Sequence, residues 1–347
     1  MITPEMLRLY GLETPQKLAV HDTSHGANDL RMVYVLESPE IGKLVIKITR
    51  NAFSTPERVR GWVELIEHYN HLGIYCPRIL RNRNGEYSAF IDGYLVYAEE
   101  YMAHDLASER EDSLNYEPRL YESIGLVAAN PAPLVPWNTA FCLFDKFDKT
   151  DEYDENLECA IMVRDLYANQ IPEYAERVNK LFLEYCHRRE RFEPLYRVLP
   201  KAVFQGDLNR SNILVNDTGD FAGLIDFNLS GTETILNYAF CESFCALDDG
   251  EAEIGLLMDP EALKERDRRT AQNLAWIGKH YQFTDAEREV FNEYYNIVAP
   301  FRWTYQGFFM RLLTNRDRYP DGRKYAGLIV DWMEYQATRK DVGDLLP

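Results

Sequence analysis

The sequence predicts an α+β chain in two lobes, a small β-rich lobe over residues 1–102 and a larger, mainly helical lobe over 103–347. Three observations predict this. In the first hundred residues, short runs rich in Val, Ile, Leu and Tyr alternate with turn signals around one helical stretch. Beyond about residue 103, apolar residues recur at helical spacing. The length of 347 residues suggests about two domains at roughly 150 residues each. A hydrophobic fraction of 46% excludes a mostly disordered chain.

The elements follow in order. Val33–Leu36 and Leu44–Ile48 are β-rich runs joined by the turn-like Ser38-Pro39-Glu40-Ile41-Gly42, which predicts a hairpin. Ser54-Thr55-Pro56-Glu57 then reads as a helix start, with a capping hydroxyl, proline in the first turn and an acid after it. The helix carries Val59, Val63, Ile66 and Leu72 and ends near Gly73. Ser88–Ile91 and Tyr94–Tyr97 flank Asp92-Gly93, a dipeptide that favours a two-residue hairpin turn. In the second lobe, Tyr174, Val178, Leu181, Phe182 and Tyr185 form a helical stripe. Thr284-Asp285-Ala286-Glu287 is a capping box that opens another helix. Between these helices lies one β-like island, Ala202 to Phe227.

Charge narrows the partners. With 38 basic and 56 acidic residues the net charge is −18. This argues against nucleic acid, whose phosphate backbone calls for a basic face, and against a polybasic membrane-surface role. The uncharged stretch Ile124–Phe144 holds Pro131, Pro133 and Pro136, which would break a spanning helix. Six scattered cysteines, with no Cys-x-x-Cys pair, read as reduced thiols rather than zinc ligands. Met1–Glu5 shows no signal-peptide pattern, so the expected compartment is the cytoplasm.

The chemistry concentrates in the island. It reads Phe204-Gln205-Gly206-Asp207-Leu208-Asn209-Arg210-Ser211-Asn212-Ile213-Leu214-Val215, then Gly223-Leu224-Ile225-Asp226-Phe227 after a turn at Asp217–Asp220. Asp207 precedes Asn212 by five residues, and Asp226 follows fourteen later at the end of an apolar run. Phosphoryl transfer uses such groups together. One carboxylate orients and deprotonates the attacking hydroxyl, while an amide oxygen and a second carboxylate hold magnesium on the nucleotide phosphates.

These paired motifs resemble those of the aminoglycoside phosphotransferase and choline kinase-like family, small-molecule relatives of the protein kinases. The resemblance runs from about residue 20 to 245. It implies a two-lobed, protein-kinase-like fold, with a catalytic loop at 204–215 and a metal-binding hairpin end at 223–228. It implies Asp207 as catalytic base and Asn212 and Asp226 as ligands of Mg2+. ATP or GTP would be the phosphoryl donor. Thr23–Asn28 resembles the loop over the nucleotide phosphates, with Gly26 and Asn28 as its candidates. Lys47 resembles the lysine that contacts the α- and β-phosphates. Its expected partner is a glutamate on the following helix, Glu64, with Glu67 not separated from it by spacing. Glu99-Glu100-Tyr101-Met102 resembles the hinge, where Glu100 and Met102 would offer backbone groups to the base. No glycine-rich run ends in Gly-Lys-Ser or Gly-Lys-Thr, so a P-loop is excluded.

One departure stands out: Gln205 occupies the place where the family usually has His, two residues before the base. It is the sequence support for an alternative, a nucleotide-binding pseudokinase or scaffold; the intact Asp207, Asn212 and Asp226 oppose that. A protein kinase is a third reading, but Gly231 follows Asp226 by five residues and no Ala-Pro-Glu closes an activation segment. The acceptor would be a small molecule. From Asp145 to Glu158 the chain is dense in acids, and Asp248, Asp249, Glu251 and Glu253 form a second cluster. A cleft lined by them would attract an amine-bearing, cationic acceptor, aminoglycoside-like or choline-like. Tyr294, Tyr295, Trp303 and Phe308 are candidate walls for such a pocket. The alternative is a solvated acidic loop and ordinary core aromatics.

Overall fold

The β-branched and aromatic runs of the first hundred residues pair into one antiparallel sheet. It is seen in a computed structural model that describes residues 2–347 apart from positions 14, 27, 40, 112–113 and 243–253. After α1 (Pro4–Leu9) come β1 (Gln16–Asp22), β2 (Leu30–Ser38), β3 (Gly42–Arg50), α2 (Pro56–His71), β4 (Ile79–Leu80), β5 (Ser88–Ile91) and β6 (Tyr94–Glu100). The sheet order is β1-β2-β3-β6-β4, with β5 also on β6. Thr55 caps α2 by accepting from the Arg58 N–H at 3.2 Å. Asp92 and Gly93 both take positive φ, 51° and 80°, the geometry a two-residue hairpin demands.

Register gives the sheet two different faces. Ile46 stands opposite Tyr34 on one side and Ala98 on the other, and Ile48 opposite Val96. This face is buried with Met6, Tyr10 and Leu12 from the α1 region. Each such side chain contributes about 1.5–3 kcal/mol by leaving water. The period of two sends Val45 and Lys47 to the other face, with Tyr97 and Glu99.

The chain then forms β7 (Asp105–Leu106), α3 (Glu117–Ala129), α4 (Glu155–Gln170) and α5 (Pro172–Arg197). The island becomes β8 (Lys201–Phe204), β9 (Ile213–Val215), β10 (Phe221–Leu224) and β11 (Gly231–Thr234). Helices α6 (Ile235–Glu242), α7 (Pro260–Ile277), α8 (Asp285–Val298), α9 (Trp303–Thr314) and α10 (Ala326–Thr338) follow. Two compact units result: residues 1–116 with 148–150 and 207–230, and residues 117–147, 151–206 and 231–347. The lobe boundary expected after Met102 falls inside the first unit. There β7 pairs with β9, and β9 with β10, so residues 207–230 belong to the first unit. Gly223 is obligatory in this small sheet: a Cβ there would lie 1.9 Å from the Tyr75 carbonyl oxygen.

The second unit is helical around one antiparallel pair, β8 with β11. Its core is aromatic: Tyr294 packs against Phe192, Tyr196 and Phe240 at ring separations of 5.0, 6.1 and 5.3 Å. The expected capping box on α8 is present, with Thr284 and Glu287 bonding reciprocally. Tyr294, Tyr295 and Phe308 are core residues, while Trp303 is exposed. In the acid-rich segment, Asp154 caps α4 and forms a buried ion pair with Arg189, and Asp145 pairs with Arg197 at 2.6 Å. Those two acids hold the fold together locally instead of lining a cleft. The second acidic cluster, at 248–253, lies outside the described residues. Among the described residues no helix is long and apolar enough to cross a membrane.

Glu233 on β11 is 1% exposed. Its carboxylate accepts from Thr234 N at 2.7 Å, Asn237 Nδ2 at 2.9 Å and Thr139 Oγ1 at 3.3 Å. Burial outweighs these bonds and pushes its pKa from 4.5 up to about 7. A folded pKa above the unfolded one gives stability that is full below the unfolded value and lost as pH rises through the folded value. Urea titrations at about pH 5 and about pH 8 should therefore show a loss of about 2–3 kcal/mol from this group. Glu233→Gln should remove that share of the difference. An equal pH difference in both proteins would rule the assignment out.

Candidate active site

Four of the residues singled out by sequence meet within the first unit. Lys47 leaves the inner face of β3, and its Nζ lies 3.2 Å from Asp226 Oδ1, although 179 residues separate them. The same ammonium lies 3.1 Å from Glu99 Oε1 on β6. Burial alone would lower the Lys47 pKa; Asp226 and Glu99 outweigh it and hold the ammonium well above the usual lysine range. Burial pushes Glu99 up, and Lys47 opposes that rise. Tyr97, directly opposite Lys47 in the ladder, places its ring 5.9 Å from the ammonium.

Asp226 follows β10 in a left-handed conformation, φ 58°, which Asp tolerates better than most residues. The next residue, Phe227, is buried and meets the Tyr69 ring of α2 edge-on at 5.3 Å. The unusual backbone at Asp226 is thus held from both sides, by β10 before it and by this aromatic contact after it.

Asp207 follows Gly206, whose φ of 90° turns the chain out of β8. Two amides orient its carboxylate: Asn209 Nδ2 donates to Oδ1 at 2.8 Å and Asn212 Nδ2 to Oδ2 at 2.9 Å. Asn212 is itself fixed: its N–H donates to Asn209 O at 2.9 Å, and its carbonyl accepts from Ile225 N–H at 3.0 Å. That last bond ties the loop to the residue before Asp226. Burial and the Asp226 charge raise the Asp207 pKa, while Asn209 and Asn212 pull it back. A carboxylate of raised proton affinity, aimed by two amides, suits proton acceptance from a hydroxyl.

The donors also fit magnesium. Asn212 has its amide nitrogen committed to Asp207, so a cation held by this loop and by Asp226 would take the amide oxygen and the carboxylate. These are hard oxygen donors. Among the described residues no group of three or more acids, histidines or cysteines is arranged to hold a metal alone.

Other expected residues stand apart. Gly26, φ 74°, and Asn28 lie on an exposed loop between β1 and β2, where His25 N–H donates to Asp29 O and Thr23 N–H to Arg31 O, and Asn51 Nδ2 donates to Asp29 Oδ1 at 2.9 Å. Glu100 does structural work: its Oε2 accepts from Arg78 N–H at 3.0 Å and its N–H donates to Arg78 O at 2.9 Å. Met102 lies between that tie and Ala103, whose N–H donates to Tyr75 Oη at 3.1 Å. Gln205 is fully buried.

Glu64 needs correction as the partner of Lys47. The buried residues of α2 are Arg58, Val59, Trp62, Leu65, Ile66 and Tyr69. At 100° per residue Glu64 sits about 200° round from Trp62, on the outer face, and it is exposed. Glu67 pairs with Arg78 at 3.0 Å. Sequence reasoning missed Glu99 and Asn209. Asn209, two residues after an Asp on a tight loop, was open to inference from local side-chain bonding habits. Glu99 carried no local signal.

The chain matches the family described as "Phosphotransferase enzyme family" over residues 24–236. Solved structures share its fold along nearly the whole length. A microcompartment-associated aminopropanol kinase is 12% identical, with 96% of this chain and 98% of that chain covered and a TM-score of 0.53. An amicoumacin kinase in complex with AMP-PNP and Ca2+ is 12% identical, with 99% and 93% covered and a TM-score of 0.54. An aminoglycoside phosphotransferase from Alicyclobacillus acidocaldarius is also 12% identical, with 99% and 95% covered and a TM-score of 0.52. At this identity the likeness shows the fold: α+β, an N-terminal antiparallel sheet followed by a mainly helical part. No curated protein matches the chain.

Proposed function

The chain belongs to the phosphotransferase enzyme family, and from that membership we propose that it moves the terminal phosphoryl group of ATP or GTP to a hydroxyl of a small molecule. The observation that carries this reading is the meeting of Asp207, Asn212, Asp226 and Lys47 within one unit, joined by hydrogen bonds and an ion pair. Phosphoryl transfer leaves little covalent work to the protein; positioning and charge do most of it.

Each residue then has a task. Lys47, kept cationic by its two acids, holds the α- and β-phosphates. Asp207, steered by Asn209 and Asn212, orients the acceptor hydroxyl and takes its proton. Asn212 and Asp226 would hold magnesium, which when bound neutralises charge on the β- and γ-phosphates. The backbone at 101–102 would receive the base. An amine-bearing acceptor is favoured by the net charge of −18. The names of the aminopropanol kinase and the aminoglycoside phosphotransferase that share the fold point the same way.

The test begins with thermal stability in ATP or GTP with magnesium. Ligand that binds only the folded state raises stability, by about 2.7 kcal/mol at a hundred times Kd. The better nucleotide is then used to measure ADP or GDP release across small alcohols with and without an amine. Acceptor-dependent release is the expected result. No nucleotide-induced shift in a folded protein would favour a scaffold over an enzyme.

A further inference from the structure

We propose that Glu99 on β6, in place of any acid on α2, is the positioning residue that sets Lys47 for the nucleotide phosphates. The inference rests on the phosphotransferase reading of Lys47 and adds to it the acid that does the holding. In the β3–β6 ladder Lys47 stands opposite Tyr97 and Val45 opposite Glu99. Lys47 and Glu99 are therefore diagonal neighbours on one face, a spacing that long side chains bridge. Their atoms meet at 3.1 Å, with side chains only 12% and 14% exposed.

The backbone of Glu99 is anchored on both sides, facing Val45 of β3 and Ile79 of β4. Asp226, the other partner at 3.2 Å, is 33% exposed and follows the end of a strand in a left-handed conformation. Of the two acids, Glu99 is the one whose place is set by a continuous hydrogen-bond ladder, and a rigid element positions a side chain better than a loop does.

Helix α2 cannot supply the acid. Its acids Glu57, Glu64 and Glu67 are all exposed. Nearly two turns from its start the inward position is Trp62, whose ring packs on Tyr97 at 5.7 Å. The indole thus packs on the same Tyr97 ring that lies 5.9 Å from the Lys47 ammonium. Two consequences follow from the same geometry. Lys47 is braced by the strand that enters the expected hinge, so its two ends of the nucleotide site share one strand. The Glu99 half of the brace also belongs wholly to the sheet and not to α2.

The experiment measures Kd for the preferred nucleoside triphosphate and for its nucleoside, without added metal and with magnesium. It compares wild type, Glu99→Gln, Glu64→Gln, Lys47→Ala and the double variant Lys47→Ala/Glu99→Gln. Glu99→Gln should weaken the triphosphate about tenfold and leave the nucleoside within about twofold, a split that general loss of packing would not give. Glu64→Gln should change neither, and Glu99→Gln should add nothing once Lys47 is gone. Wild-type triphosphate affinity in Glu99→Gln, alongside a loss in Lys47→Ala, overturns the inference and leaves the kinase reading standing. A loss in Glu64→Gln equal to that in Glu99→Gln overturns it as well. A wild type that binds neither triphosphate nor nucleoside overturns the kinase reading and this inference with it.

Discussion

Asp207→Asn is expected to lower turnover by about 10²–10⁴-fold, the usual worth of a positioned general base, while nucleotide affinity stays near wild type. The substitution keeps the shape and removes the proton acceptor. The loop should survive it, because backbone bonds hold it independently: Asn212 N to Asn209 O, Ile225 N to Asn212 O, and Ser108 N to Arg210 O. Arg210 adds a side-chain bond to Ala107 O at 2.8 Å. One side-chain bond is disturbed, since the new amide nitrogen faces either Asn209 or Asn212. A stability loss of about 1 kcal/mol is therefore expected, visible as a small fall in Tm. The check is steady-state ADP or GDP release with the best acceptor, beside calorimetric nucleotide binding. Turnover within a few-fold of wild type would falsify the role of Asp207.

Asp226→Asn should abolish the magnesium-dependent part of the nucleotide's thermal stabilisation. Asn is chosen because it accepts the left-handed backbone that Asp226 adopts, φ 58°, so strain is not added. The carboxylate charge is lost, and with it the stronger of the two proposed cation ligands. Lys47 keeps Glu99 at 3.1 Å and stays an ammonium. Nucleotide without magnesium should then bind about as well as to wild type, or more tightly, because one negative charge near the phosphates has gone. The readout is Tm in the presence and absence of magnesium at fixed nucleotide. If the magnesium increment persists at its wild-type size, Asp226 is not the ligand.

Much of the sheet lobe was legible because its signals are local. The Asp92-Gly93 turn, the Thr55 cap and the Thr284 capping box each depend on steric and hydrogen-bonding habits of a few neighbouring residues, and each forms as expected. The Asp207–Asn212–Asp226 spacing was legible for a similar reason. A tight loop and one short hairpin bring the three together without help from distant chain. The acid-rich segment 145–158 was legible only as charge. Whether an acid lines a cleft or pairs inside the fold depends on where Arg189 and Arg197 arrive from α5.

What the sequence determined by itself is therefore several local elements, the chemistry-bearing island and a candidate lysine. Tertiary structure decided who holds that lysine. The choice between Glu64 and Glu99 turns on the phase of α2 against the sheet and on the register of β3 with β6, and both are set by burial of Trp62, Ile46 and their neighbours. The same packing removes water from around Lys47, where an ammonium left without a carboxylate is costly. The partner is fixed by which acid the fold carries to that spot, a fact distributed over contacts many residues apart in the chain.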